Sequence, residues 1–194
     1  MRKLKYILAS IVLAAGFASC ETEPIDEQLQ DQTHPGNPIL SFDLNAKQKI
    51  VTDKVDISFS GSTAAINARV SILNTEDTSN PETRHKPGRL NIQFTALEVA
   101  HFPTTLSMDN PSNYTSRASL SFQEYDIEEE AFVWLSFSTD NAPEGQDVGF
   151  SNITHVNGDA EFIHGNFSYI LFPVEGSIHE PQRVTDGSFN YINY

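Results

Sequence analysis

The segment Ile66-Asn67-Ala68-Arg69-Val70-Ser71-Ile72 decides the fold class, because apolar and polar residues alternate in it at every step. Successive side chains of a β-strand point to opposite faces, so this alternation predicts a strand with one buried and one exposed face. Val55–Phe59, Leu90–Phe94 and Leu120–Phe122 alternate in the same way. No long segment of the sequence repeats apolar residues at helical spacing, and we therefore expect an all-β chain.

Turn-forming residues divide the chain after Ile39 into a regular series of about nine or ten predicted strands. Ala131–Phe137 (AFVWLSF) is apolar almost throughout, which indicates a central strand buried on both faces and places Trp134 in the core. The remaining strand candidates are residues 39–44, 148–156, 160–173 and 185–193. A single antiparallel domain, either a β-sandwich or barrel-like, is therefore expected over residues 39–194.

Three connections are predicted between these strands. The polar stretch Asn74–Gly88 contains two prolines and is interpreted as a long loop, and residues 140–145 (DNAPEG) are interpreted as a short one. The acidic residues after Tyr125 predict a solvated hairpin turn that ends where the next strand begins, near Ala131.

The amino-terminal residues 1–19 have the layout of a secretory signal peptide, in which a basic stretch precedes an apolar run and small residues. The apolar run, Tyr6–Phe17, would cover about 18 Å as a helix. The hydrocarbon core of a bilayer is about 30 Å thick, and acidic residues begin at Glu21, so the run is too short for a membrane anchor. We therefore expect a cleaved signal.

Cys20 is the only cysteine of the chain and stands at the predicted cleavage point. Phe17-Ala18-Ser19-Cys20 resembles the lipobox of bacterial lipoproteins. This resemblance implies that the Cys20 thiol receives a diacylglyceryl group and becomes the mature amino terminus. Two acyl chains anchor a protein stably, whereas one holds it only marginally, so membrane lipid is the expected partner of Cys20. An ordinary secretory signal followed by an unrelated cysteine is the alternative.

The sequence Gly-x-Phe-x-Tyr occurs twice, at Gly165–Tyr169 and Gly187–Tyr191. In each copy the Phe and Tyr are expected on one strand face, where they pack against a common core. Together with the lipobox and the β pattern, the carboxyl end Asp186–Tyr194 resembles small β-rich lipoproteins of Bacteroidetes. No activity is attached to that family, so the resemblance implies fold and location but no catalytic residues.

Residues 20–38 are expected to form the lipidated Cys20 and a flexible acidic linker, since residues 21–38 hold five carboxylates, three prolines and no Lys or Arg. Acidic residues after a lipidated cysteine resemble the surface-export signal of Bacteroidetes lipoproteins. We therefore expect the chain in the cell envelope at the outer membrane, on its surface or periplasmic face. Loss of three basic residues with the signal changes the formal charge from −14 to −17, which excludes nucleic acid as a partner.

Metal-binding patterns are weak in this sequence. His155 and His164 would approach each other in a hairpin, with Asp159 and Glu161 nearby, but histidines around a surface turn at Asn157-Gly158 are the favoured interpretation. Asp140, Asn141, Glu144 and Asp147 supply the oxygen ligands that a calcium loop would use. Their spacing is not that of an EF-hand, so no metal and no cofactor are predicted.

No nucleophile elbow and no phosphate-binding glycine loop occur in the sequence. The favoured hypothesis is a non-enzymatic module that binds a glycan, a peptide or a protein, with Tyr114, Tyr125 or Trp134 stacking on sugar rings if exposed, although the core is the favoured place for Trp134. A structural envelope component without a ligand is a further alternative. The alternative is a tethered hydrolase that acts on polysaccharide through surface carboxylates such as Glu124 and Glu128.

Overall fold

The computed structural model describes residues 36–73, 85–104, 114–126 and 130–194, and strands make up most of these ranges. In chain order they are β1 (Ile39–Leu44), β2 (Gln48–Thr52), β3 (Val55–Ser60), β4 (Thr63–Leu73), β5 (His85–Phe94), β6 (Ala100–Pro103), β7 (Ser116–Asp126), β8 (Ala131–Ser138), β9 (Gly149–Asn157), β10 (Phe162–Pro173) and β11 (Gln182–Asn193). The only helical segment within the four ranges is a 3₁₀ turn, Thr139–Asn141. The all-β prediction is confirmed. The predicted signal peptide, Cys20 and residues 21–35 of the linker lie outside the described residues.

All pairings between these strands are antiparallel. The main path through the sheet is β2-β1-β11-β10-β8-β7-β5-β4-β3, and it ends at β2 on one side and β3 on the other. Strand β9 also pairs with β10, and β6 pairs with β9. The strands therefore form an open sheet, in which β10 is the point where the path divides.

Strand β10 joins two halves of the sheet. It pairs with β11 and β9 along most of its length, but only Phe172 and Pro173 pair with β8. Buried residues of both halves belong to one hydrophobic core. Within it the ring centroid of Phe94 on β5 lies 5.3 Å from that of Phe102 on β6 and 6.2 Å from that of Phe189 on β11. The sheet is thus folded over so that its two halves share one core, as in a sandwich.

The alternation of Ile66–Ile72 is reproduced in β4. Ile66, Ala68, Val70 and Ile72 are buried in the core, whereas the intervening Arg69 and Ser71 are exposed. The predicted hairpin between Tyr125 and Ala131 is also confirmed, because β7 pairs antiparallel with β8 up to Asp126 opposite Ala131. β4 therefore presents a polar outer face to solvent.

Two strands, β2 and β6, were not expected from the sequence. Ile50 is the buried residue of β2, and Phe102 that of β6, so neither strand has an apolar alternation to detect. The predicted loop Asn74–Gly88 was partly wrong, since β5 begins at His85 and residues 74–84 lie outside the described residues. Pro87 is tolerated in β5 because pairing with β7 starts only at Gly88.

The prediction that Ala131–Phe137 is buried on both faces was wrong. Phe137 is buried at 1% exposure, but Phe132 is 58% exposed and Trp134, which was expected in the core, is 46% exposed. Strand β8 pairs with β7 along its length, and no strand covers its outer face in the described structure. The continuous apolar run arises because aromatic residues occupy a surface that is usually polar.

The two copies of Gly-x-Phe-x-Tyr lie side by side on β10 and β11. Gly165 is opposite Phe189, and Phe167 is opposite Gly187, so the glycine of each copy faces the phenylalanine of the other. Phe167 and Tyr169 are both buried, as predicted. At Tyr191 the backbone has φ 53°, and Ile192 is fully buried while Tyr191 is half-buried, so the second copy departs from regular alternation.

Candidate functional site

The outer face of β4, β5, β7 and β8 is covered by polar side chains together with a few exposed aromatic ones. Because the inward positions of these strands are apolar, the outward positions fall two residues apart and form rows across the sheet. Asn91 Nδ2 donates to Asn67 Oδ1 at 2.8 Å, and Asn67 Nδ2 donates to Ser58 Oγ at 3.0 Å. The face is therefore an ordered array of hydrogen-bonding groups.

A groove of about 870 Å³ opens where this face meets the connection between β2 and β3. Three cationic residues, Lys54, Arg69 and Arg89, line it together with the apolar residues Ile39, Val51 and Trp134. We call it the basic groove. Asp53 is the only carboxylate among the described residues that line it.

Hydrogen bonds of residues 52–54 connect Lys54 with Arg69. Thr52 Oγ1 donates to the Arg69 carbonyl oxygen at 2.8 Å and accepts from the Lys54 N–H at 3.1 Å. The Arg69 N–H in turn donates to the Lys54 carbonyl oxygen at 2.9 Å. These bonds fix Lys54 next to Arg69 at the edge of β4.

The same bonds indicate the distance between the Cα atoms of Arg69 and Arg89. The two residues are directly opposite each other on β4 and β5. Both backbone groups of Arg69 bond on the side of residues 52–54, so Arg69 and Arg89 form a non-hydrogen-bonded pair. The Cα atoms of such pairs lie about 4.5 Å apart, closer than in the alternate pairs. Like charges directly opposite each other on neighbouring strands destabilise the sheet.

Neither arginine forms an ion pair with a carboxylate in the described ranges, where the ion pairs are Lys86–Glu124 and Arg117–Asp140. Instead, the Arg89 guanidinium lies 5.4 Å from the centroid of the Trp134 ring. A cation in this position is attracted by the negative face of the indole. Trp134 therefore holds Arg89 in place without neutralising its charge.

Exposed aromatic side chains continue along β8. Phe132 lies two residues before Trp134 and packs edge-on against Tyr125 of β7, with ring centroids 5.3 Å apart. Tyr125 is exposed, as the sequence predicted. Tyr114 is also exposed and lies against Phe102, and a hydrogen bond from its hydroxyl to the Glu98 carboxylate raises the pKa of Tyr114.

His155 and His164 are brought together as the hairpin hypothesis required. They are paired across β9 and β10, and their ring centroids lie 5.5 Å apart in an edge-on arrangement. Phe162 and Tyr191 pack against His164, at 5.1 and 4.5 Å between centroids. Among the residues that the structure describes, no group of three or more His, Cys, Asp or Glu side chains is arranged to hold a metal ion.

Three of the other carboxylates singled out in the sequence have protein partners. Glu124 Oε1 lies 2.7 Å from Lys86 Nζ, and Asp140 Oδ2 lies 3.4 Å from Arg117 Nη1. Asp147 Oδ1 accepts a hydrogen bond from the Gly149 N–H at 3.0 Å. Glu128, the second carboxylate of the hydrolase hypothesis, lies outside the described residues.

Sequence reasoning missed Arg69, Arg89 and Lys54 as site residues. The alternation of β4 does place Arg69 on the outer face, but only the register of β4 with β5 sets it opposite Arg89. That register depends on long-range pairing, which a single sequence does not reveal.

Comparison of the chain with protein-family profiles, curated proteins and solved structures gives no significant match. In the part of the chain that the structure describes, no helix has the length and apolar character needed to cross a membrane.

Proposed function

We propose that this chain is a lipid-anchored protein of the cell envelope whose β domain is a non-enzymatic, glycan-binding module. Its lipid anchor is Cys20, and its binding site is the basic groove. The observation that carries the proposal is the exposed indole of Trp134 beside three cationic side chains on a rigid sheet. The lipobox resemblance supports the envelope location at the outer membrane.

The composition of the basic groove matches the chemistry of sugars. A pyranose ring has apolar C–H faces that pack on aromatic rings, and its hydroxyl groups accept hydrogen bonds from Arg and Lys. Trp134, Ile39 and Val51 supply the apolar surface, and Arg69, Arg89 and Lys54 supply the donors. A volume of about 870 Å³ lies within the range that small-molecule sites occupy.

The same geometry favours binding over hydrolysis. Glycoside hydrolysis requires two carboxyl groups that face each other across the sugar, about 5 to 10 Å apart. Asp53 is the one carboxylate lining the groove among its described residues, and Glu124 is engaged by Lys86. The groove therefore supports a binding role more strongly than the tethered-hydrolase alternative.

A glycan array probed with the full-length lipoprotein in nonionic detergent tests the proposal. We expect a subset of glycans to bind, and we expect Trp134→Ala to weaken that binding by about tenfold or more, because the stacking surface is lost. Phe59→Ala is the matched control, since Phe59 is an aromatic residue exposed to a similar extent, 55%, outside the groove. An array without any bound glycan, or binding that survives Trp134→Ala unchanged, would contradict the proposal.

A further inference from the structure

We infer that the ligand of the basic groove is an acidic glycan, whose carboxylate or sulfate group binds between Arg69 and Arg89. This inference rests on the proposed function and specifies the class of sugar. Its main support is the direct pairing of two arginines that have no acidic partner in the described ranges.

An anion between the two arginines would remove the repulsion that their pairing creates. Guanidinium groups donate hydrogen bonds in a planar fork, which matches the two oxygens of a carboxylate and the oxygens of a sulfate. Arg69 and Arg89 are both exposed, and the Arg89 guanidinium also lies over the Trp134 ring. A carboxylate or sulfate on a sugar ring is therefore the complementary ligand for the pair.

The surrounding residues prepare the pair for such a ligand. Trp134 holds the Arg89 guanidinium 5.4 Å above its ring, and the bonds of Thr52 hold Lys54 beside Arg69. Ordering the Arg89 side chain before binding reduces the entropy lost when the ligand arrives, whereas the Thr52 bonds place the backbone of Lys54 beside that of Arg69. Three cationic residues and one carboxylate, Asp53, line the groove, so its local charge is positive although the chain as a whole is strongly acidic.

The overall charge restricts which polyanions can bind. Nucleic acids and anionic membranes present dense charge over long distances and would be repelled by a chain whose formal charge is −14 even with its signal. At physiological ionic strength, charges more than about 8 Å away are largely screened. A short acidic oligosaccharide meets the groove without bringing a long anionic surface against the remaining protein.

Calorimetry with two matched sugars tests the inference. The probes are a galacturonic-acid hexamer and its fully methyl-esterified form, which keeps the rings but loses the charges. We expect the full-length lipoprotein in detergent to bind the acid form at least about tenfold more tightly, because charge-assisted hydrogen bonds are about twice as strong as neutral ones. Raising the salt concentration from about 0.05 to 0.5 M should weaken binding of the acid form alone.

Substitutions of the two arginines then test whether these side chains bind the charged group of the sugar. Arg69→Gln and Arg89→Gln should each weaken binding of the acid hexamer by about tenfold. Arg183→Gln is the matched control, because Arg183 is exposed but lies outside the basic groove. Without ligand, Arg69→Gln should leave the thermal midpoint unchanged or higher, since it relieves the repulsion with Arg89.

The outcomes separate this inference from the proposed function. Equal affinity for the two hexamers, with Trp134→Ala still weakening both, would overturn the acidic-glycan inference and leave glycan binding standing. Equal loss of affinity in Arg183→Gln and Arg69→Gln, or equally tight binding of a hexaglutamate peptide, would also overturn it. If neither hexamer and no glycan on the array bound to the protein, the proposed function itself would be contradicted.

Discussion

The hydroxyl of Tyr169 is a polar group within an apolar core. Tyr169 is 1% exposed, and its hydroxyl donates to Ser116 Oγ at 2.9 Å. Ser116 Oγ donates in turn to the Phe102 carbonyl oxygen at 2.8 Å, and Ser151 Oγ is a second partner of the Tyr169 hydroxyl. This chain of bonds joins β10, β7, β6 and β9, so it connects both halves of the sheet through buried polar atoms.

The ionisation of Tyr169 predicts a loss of stability at high pH. Burial raises the pKa of Tyr169 to about 12, although hydrogen bonds to Ser116 and Ser151 oppose the shift. The unfolded chain releases this proton near pH 10 and the folded chain near pH 12, so the unfolded state binds fewer protons between these values. We expect the free energy of unfolding to fall by about 2 kcal/mol from pH 10 to pH 12. Urea unfolding at several pH values measures this slope.

Tyr169→Phe separates this effect from the ionisation of other residues. At pH 8 the variant should be less stable by about 1 to 3 kcal/mol, because Ser151 and Ser116 lose a buried partner. The free energy of unfolding of the variant should then fall less steeply above pH 10. Plotted against pH, the values for the variant and the wild type should therefore converge. Parallel curves would show that Tyr169 does not carry the alkaline transition.

At the scale of elements, β10 and β11 are held in register by their reciprocal glycine and phenylalanine pairs. A Cβ atom added at Gly165 would overlap the Phe189 ring and the Asn152 carbonyl oxygen. One added at Gly187 would lie 2.5 Å from the Phe167 ring and 2.6 Å from the Phe167 carbonyl oxygen. Each ring therefore lies over the glycine opposite it, and the two rings stack at 6.3 Å between centroids.

Alanine at either glycine should destabilise the fold. We expect Gly165→Ala and Gly187→Ala each to lower the free energy of unfolding by about 1 to 3 kcal/mol, because the added methyl group displaces a packed ring or the neighbouring backbone. Gly158→Ala is the matched control, since a Cβ there would meet nothing within 4 Å. Chemical denaturation of the three variants checks the difference. Equal stability of Gly165→Ala and Gly158→Ala would contradict the packing argument.

Among the strands that the sequence predicted, β1, β4, β5 and β7 have several buried apolar residues at alternate positions, whereas β3 has none. In β4 this repeat extends from Ala64 to Ile72, and local alternation was enough to find it. β2 and β6 have one buried residue each, so their sequences show no alternation. Pairing of β2 with β1 and of β6 with β9 stabilises these strands instead. The site was harder to predict, because the outer face of β8 and the Arg69–Arg89 pairing depend on which strands become neighbours.

At the scale of the whole molecule, charge and attachment are separate properties. The formal charge of the full chain is −14, and the proposed cleavage before Cys20 would remove three basic residues and make it −17. A chain of this charge gains nothing from the anionic headgroups of a membrane, and the basic groove contributes only three cations. Under the proposed function the acyl chains on Cys20 would therefore supply the whole membrane affinity, at about 0.8 kcal/mol per buried methylene.

This reasoning predicts that acylation depends on Cys20 and that salt does not release the protein. In cells fed an alkyne fatty acid, the wild-type chain should be labelled, should lack residues 1–19 by mass spectrometry, and should stay in the membrane fraction after a 1 M salt wash. Cys20→Ala should be unlabelled and should keep its signal, because no thiol is present to receive the diacylglyceryl group. Ser19→Ala is the control and should behave as the wild type, since it keeps the thiol and brings the sequence closer to the usual lipobox. A labelled Cys20→Ala chain, or an unlabelled wild-type chain, would show that Cys20 is not the anchor.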